Sequence, residues 1–220
     1  MEDAKFPLAA FDEIGYQAVF SGQKTYNGVA IISRARPEDV TKDMVGYDDH
    51  QKRVIAATVN GVRVVCAYIP NGQTVESEKY QYKLNWLAAL QSYMRDTISA
   101  YGDVALLGDY NIAPEDRDVH DPIAWAGQVL CTPQERAHFQ GLLGLGLVDA
   151  FRLFDQPPKP WTWWDYRNLA FRKNQGLRID HILVSDSLRP RVTACVIDKL
   201  PRKNERPSDH APVVLEITPV

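Results

Sequence analysis

The stretch Val104-Ala105-Leu106-Leu107-Gly108-Asp109-Tyr110-Asn111 decides the fold. Four apolar residues run without a polar break into Gly-Asp. An uninterrupted run of this length reads as a strand buried on both faces, because alternation develops only where one face meets water. Side chains at the end of such a strand leave the core and face a crevice, which is where α/β proteins bind ligands. Asp109 and Asn111 are two apart, so an extended backbone would point them the same way.

Working outward, Asn27 to Ser33 reads as a strand. Arg53 to Val59 and Val62 to Ile69 flank Asn60-Gly61, a hairpin signal because both turn residues tolerate positive φ. Further strands are expected at Leu147 to Phe151, Arg178 to Val184, Val192 to Ile197 and Ala211 to Ile217. Leu84, Leu87, Leu90, Met94 and Ile98 recur at helical spacing and predict a helix from about Lys79 to Ala100. Thr132, Pro133 and Glu135 form the pattern of a capping box, opening a second helix that runs to about Leu143 and stops near Gly144 or Gly146. Hairpins mixed with two helices predict α/β layers. No repeat or linker interrupts the chain, which reads as one domain over residues 1–220.

Composition sets the outer limits. Of 220 residues, 45% are hydrophobic and 24% charged, which excludes a mostly disordered chain. No apolar run approaches the roughly 18 residues of a membrane span. Cys66, Cys131 and Cys195 are scattered without a CxxC, which fits a reducing compartment and argues against a thiolate zinc site. The N-terminus lacks the basic and apolar regions of a secretory signal. Lys plus Arg is 25 and Asp plus Glu is 28, so the net charge is 25 − 28 = −3. A partner rich in phosphate would need a local basic patch or a bound cation.

Several short motifs at strand ends carry candidate chemistry. One carboxylate and one amide oxygen, Asp109 and Asn111, suit a hard cation such as Mg²⁺, although Asp and Asn also make Asx-turns for purely local reasons. Asp209-His210, held between Pro207 and Pro212, can serve a metal and a phosphate together, and Asp180 could orient a histidine as buried carboxylates do. A surface turn explains either pair alone. Tyr68 and Asn71 at a strand exit offer donors to a phosphate, or a good strand residue followed by a strong turn. The run WTWWDYR from Trp161 to Arg167 holds three of the five tryptophans and is followed by Arg172, Lys173 and Arg178. Aromatics interleaved with basic residues suit stacking on nucleotides, and tryptophans equally suit a core.

Taken together, YNGVAII from Tyr26, YIPNG from Tyr68, GDYNIAP from Gly108, GLRIDHILVS from Gly176 and SDHAPVVLE from Ser208 resemble the exodeoxyribonuclease III family of abasic-site DNA-repair nucleases. That family belongs to the endonuclease/exonuclease/phosphatase superfamily, and the resemblance covers Met1 to Ile217. It implies a four-layer α/β sandwich of two packed mixed sheets. It also implies Mg²⁺-dependent hydrolysis of DNA phosphodiesters, with Mn²⁺ as an alternative ion, as a 3′→5′ exonuclease and abasic-site endonuclease.

By motif, the resemblance assigns Tyr68 and Asn71 to the phosphate. Asp109 positions the attacking water, and Asn111 steadies the pentacovalent state. Asp209 is a metal ligand, alongside Asp109, Asn111 and His210, and His210 also contacts the phosphate while held by Asp180. Trp163, Leu177 and Ile179 form an apolar pocket for an extruded abasic sugar, which has no base to unstack. Arg172 and Arg178 are expected on the DNA. The expected partner is double-stranded DNA with abasic sites or 3′ ends, bound by a monomer in a bacterial cytoplasm, on nucleoid DNA and away from membranes.

Members of this family begin with a Trp-Asn strand, a helix and a strand ending in Gln-Glu-Thr, whose Glu is the main Mg²⁺ ligand. Neither motif occurs here, and Glu2 and Asp3 do not match them. The resemblance therefore predicts a domain short by roughly 25–35 residues at its N-terminus, with impaired activity. Two other functions stay open: a superfamily phosphoesterase acting on small phosphoesters, and a DNA-binding remnant without catalysis.

Overall fold

The computed structural model describes residues 1–219. Ten strands are present: β1 (Gln17–Ser21), β2 (Val29–Ser33), β3 (Glu38–Lys42), β4 (Val54–Val59), β5 (Val62–Ala67), β6 (Val104–Asp109), β7 (Leu147–Asp149), β8 (Asp180–Ser185), β9 (Val192–Ile197) and β10 (Val213–Ile217). The α-helices are α1 (Leu8–Glu13), α2 (Glu78–Tyr101), α3 (Pro122–Trp125), α4 (Pro133–Leu143) and α5 (Ala170–Lys173). No helix among the described residues is long and apolar enough to cross a membrane.

Six strands form a mixed sheet in the order β3-β4-β5-β6-β8-β7, with β5 and β6 its parallel pair. The strand that ends in Gly108-Asp109 lies inside this sheet, and successive residues serve opposite faces. Val104 and Leu106 pack with Val65, Ala67, Leu183 and the helix residues Trp86, Leu87, Leu90, Met94 and Phe139. Ala105 packs on the other side with Val62, Ile182 and Val184. Burying each of Leu87, Leu90 and Met94 is worth roughly 1.5–3 kcal/mol. These residues are what hold α2 against the sheet.

The opposite face is covered by two antiparallel ribbons, β1–β2 and β9–β10, which do not pair with each other. Val29 and Ile31 of β2 pack on Ile55 and Ala57, while Cys195, Val213 and Leu215 pack on Ala105, Ile182 and Val184. The fold is thus α/β, with helices on one side of a mixed sheet and β-ribbons on the other.

Local signals hold closely. Asn60 and Gly61 both have positive φ, 48° and 76°, and close the β4–β5 hairpin. Thr132 accepts from the Glu135 N–H while the Glu135 carboxylate accepts from the Thr132 N–H, the reciprocal box that starts α4. Beyond Asp149, however, Ala150 and Phe151 leave the expected strand for a 3-10 turn, drawn by the Asp149 carboxylate accepting from the Phe151 N–H. β1, β3 and α1 had no sequence signal. In β3 the segment Glu38-Asp39-Val40-Thr41-Lys42 is charged and exposed, as an edge strand should be.

Candidate active site

Asp109 ends β6 and Asp180 opens β8, and the two are directly paired across the sheet. Gly108 brings them to the rim. Its φ is 140°, and a Cβ there would lie 1.9 Å from the Ala67 carbonyl oxygen, so only glycine lets β6 approach β5 this closely. Past Asp109 the extended backbone ends: Asn111 has φ 49°, so the extended geometry expected for the 109–111 pair is not kept through Asn111. The two side chains meet by another route. Asp109 Oδ1 accepts from the Asn111 N–H at 2.8 Å and Oδ2 from the Asn111 side-chain amide at 3.0 Å. The Asx-turn is therefore present, and it is what joins the two side chains.

The Asn111 amide also donates to the Ile69 carbonyl at 3.0 Å and accepts from Asn71 Nδ2 at 2.9 Å. Tyr68 stands on the same rim under the Arg53 guanidinium, 5.0 Å from its ring, and Arg53 donates to the Tyr68 carbonyl at 2.9 Å. Burial, then the Asp109 charge, raises the Tyr68 hydroxyl above its ordinary pKa and keeps it a donor.

His210 reaches the carboxylates from the segment before β10. Its Nδ1 lies 2.8 and 3.0 Å from the two Asp180 oxygens. Burial by itself would lower the imidazole pKa. The hydrogen bond to Asp180 and the charges of Asp180, Asp109 and Asp209 outweigh it and raise the pKa to about 9. Burial first, and then the facing Asp180, push the Asp109 carboxyl up to about 7.

Ligand atoms of Asp109, Asp180 and His210 lie within 4.8 Å of one another. Two carboxylates opposed at this range, one of them lifted by burial and by the other's charge, form a donor set that a divalent cation would satisfy. Asp180 is thus part of the group and not only the orienter of His210. Asp209 does not join it: its Oδ2 accepts from the Trp163 indole at 3.0 Å.

A cleft of about 1190 Å³ surrounds these groups. One wall is built by the segment around Trp163, which pairs with Leu177 on one side and with His210 on the other. That placement sets Trp163, Ile179, Asp209 and His210 together on the lining. Leu130 lines it too, at φ 78°, held by its N–H donating to Glu135 at 3.0 Å and its carbonyl accepting from Ala113 at 2.8 Å.

Three expected DNA-contacting residues are placed elsewhere. Arg178 is only 1% exposed and is a correction: it donates to Asp118 at 2.7 Å, to Asp149 at 2.8 Å and to His181 at 3.0 Å. It lies between Leu177 and Ile179 in an extended segment, so its side chain takes the opposite side from theirs. Leu177 is fully buried, packing with Ile179, Val119 and Leu130 without lining the cleft. Arg172 is exposed on α5 and is not among the lining residues. Arg53, Arg167, Lys79, Gln73 and Trp125 line the cleft without having been singled out for it. Only Arg167 had a signal, as the last residue of the aromatic run. Arg53 looked like the start of a strand.

A sequence profile of the Endonuclease/Exonuclease/phosphatase family matches residues 2–210. The chain belongs to this family. Among its relatives is exodeoxyribonuclease III of Haemophilus influenzae, 34% identical over 227 residues, which span 97% of this chain and 85% of that protein. The 3′ phosphatase NExo from Neisseria, solved bound to a product DNA hairpin, superposes with a TM-score of 0.97 at 47% identity. It covers 99% of this chain and 85% of its own. An AP endonuclease from Archaeoglobus fulgidus follows the same path with a TM-score of 0.94 at 39% identity, over 99% of this chain and 85% of its own. The mixed sheet and its helices described above are this family's fold as this chain builds it.

Proposed function

We propose that the protein is a metal-dependent DNA-repair nuclease that hydrolyses phosphodiesters, trimming 3′ ends and cutting at abasic sites. The observation that carries this reading is the convergence of Asp109, Asp180 and His210 beside the linked Asn71–Asn111 amides, in one cleft. In-line attack on a phosphodiester needs an activated water, positive charge, and donors for the oxygens that gain charge.

The oxygen donors suited to Mg²⁺ or Mn²⁺ are the carboxylates of Asp109 and Asp180, and Asp209 and Asn111 line the same cleft. The ion, when bound, supplies Lewis-acid stabilisation of the phosphate oxygens. Asp109 takes the proton of the attacking water. His210 acts as a donor to the phosphate, not as a ligand, because Asp180 holds it protonated through Nδ1 and a cationic imidazole cannot coordinate. Tyr68 and Asn71 donate to the other oxygens. Trp163, Ile179 and Leu130 receive the sugar at the cleavage site, and Arg53 and Arg167 meet the backbone charge.

The higher identity to the Neisseria 3′ phosphatase than to the archaeal AP endonuclease favours 3′-end processing as the main activity. The test uses two labelled duplexes, one with an internal abasic site and one with a recessed 3′ end. Each is incubated with Mg²⁺, with Mn²⁺ or with a chelator. Products from both in the presence of either ion, and none with chelator, are expected. Small phosphoesters turned over while both duplexes stay intact would overturn the reading, and so would tight DNA binding with no cleavage under any ion.

A further inference from the structure

Beneath the cleft a single lysine joins three separate pieces of the chain. Lys83 lies in the second turn of α2 with no exposed side-chain surface. An ammonium has three N–H donors. Here they go to the Asn71 carbonyl at 3.1 Å, the Asn111 carbonyl at 2.6 Å and Glu135 Oε1 at 2.5 Å. Glu135 is itself saturated, accepting also from the Leu130 N–H, the Thr132 N–H and the Thr132 hydroxyl. It is part of the capping box that opens α4.

Two of the three lysine bonds therefore end on the backbones of the two residues whose side-chain amides meet in the cleft. Those backbones belong to different loops, one after β5 and one after β6. Asn111 is moreover in the left-handed region, a conformation that a non-glycine residue keeps only where its surroundings hold it. Burying an ammonium is expensive, and an apolar side chain of similar volume would fill this position without that penalty. The placement is explained by what the ammonium holds.

We propose that Lys83 is a positioning residue for the reaction: its ammonium pins the Asn71 and Asn111 backbones to the start of α4 and so fixes the linked amide pair that holds Asp109 at the cleft. This rests on the reading of Asn111 as a member of the catalytic group. Misplacing such a group by about 1 Å can cost on the order of a hundredfold in rate.

The experiment measures kcat and KM for 3′-end trimming of duplex DNA at saturating Mg²⁺, with folding verified by circular dichroism. Lys83→Met/Glu135→Gln removes both charges of the pair, so neither is left buried alone. Its kcat should fall about ten- to a hundredfold while KM stays within about threefold. The decisive comparison repeats both changes in an Asn71→Ala/Asn111→Ala background. If Lys83 acts through this amide pair, its replacement should change kcat there by less than about threefold, because the groups it positions are already gone. Equal losses in the two backgrounds, or full kcat in the Lys83 variant, would overturn the proposal. A wild-type rate for Asn111→Ala would instead sink the site reading on which it rests.

Discussion

Asp109 and Asp180 face each other as a register pair at the ends of β6 and β8, and His210 closes on Asp180 at 2.8 Å. An antiparallel sheet does not place like charges opposite each other without cost. His210 offsets the charge of Asp180, while burial and the facing carboxylate leave Asp109 with its pKa raised to about 7.

Asp109→Asn should nearly abolish cleavage of abasic duplex while leaving DNA binding in place, because the change is almost isosteric but removes the base. A loss of a hundredfold or more in kcat is expected. A variant retaining above about a tenth of wild-type kcat would remove Asp109 from this role.

The same substitution should raise stability when no divalent ion is present. The Asp109 pKa is raised from its ordinary value of 3.8 to about 7 in the folded chain, so folding disfavours its charged form. Its stabilising contribution is complete below pH 3.8 and is lost as pH rises through 7. Asp109→Asn should therefore melt higher than wild type at pH 8, and the gap should shrink at pH 5. A difference independent of pH would contradict this.

His210 should behave in the same direction through a different cause. Its folded pKa of about 9 exceeds the ordinary 6.5, so the Asp180 contact stabilises fully below pH 6.5 and fades as pH passes 9. Asp180→Asn should bring the His210 titration, followed by NMR without divalent ions, down by at least one pH unit. The stability lost to this variant should be greater at pH 6.5 than at pH 10.

Trp163→Ala combined with Ile179→Ala should slow abasic-site cleavage more than 3′-end trimming, because these walls act on the extruded sugar while the carboxylates serve both reactions. Matched losses on the two substrates would place the sugar elsewhere.

Arg178→Met should unfold the chain more readily without altering the salt dependence of DNA binding. It strands Asp149 as a buried, unpaired charge and leaves Asp118 with Arg152 alone, a change typically worth 3–5 kcal/mol. Arg167→Gln should instead leave the melting temperature alone and lower the slope of log K against log salt by up to about one. Reversed effects would restore Arg178 to the DNA surface.

Local chemistry carried much of this protein in its sequence. The capping box at Thr132 and Glu135, the Asn60-Gly61 turn and the doubly buried Val104–Leu107 run depend on residues within a few positions of each other, so spacing alone reveals them. The strand-end motifs at Asp109, Asp180 and His210 were legible for the same reason. Their partners were not. Arg178 and Arg172 look alike as basic residues beside an aromatic run, and only packing sends one into a buried ion network and leaves the other in water. Lys83 reads as one more polar position on an amphipathic helix until three distant segments converge on it. Sequence determined the segments with strong local signals and the chemical groups at their ends, because those are set by backbone stereochemistry and near neighbours, while β1, β3 and α1 carried no such signal. Tertiary structure alone decided which groups meet, because burial and charge pairing depend on contacts between residues 30 to 60 positions apart, such as Asp180 with His210 and Asp118 with Arg178.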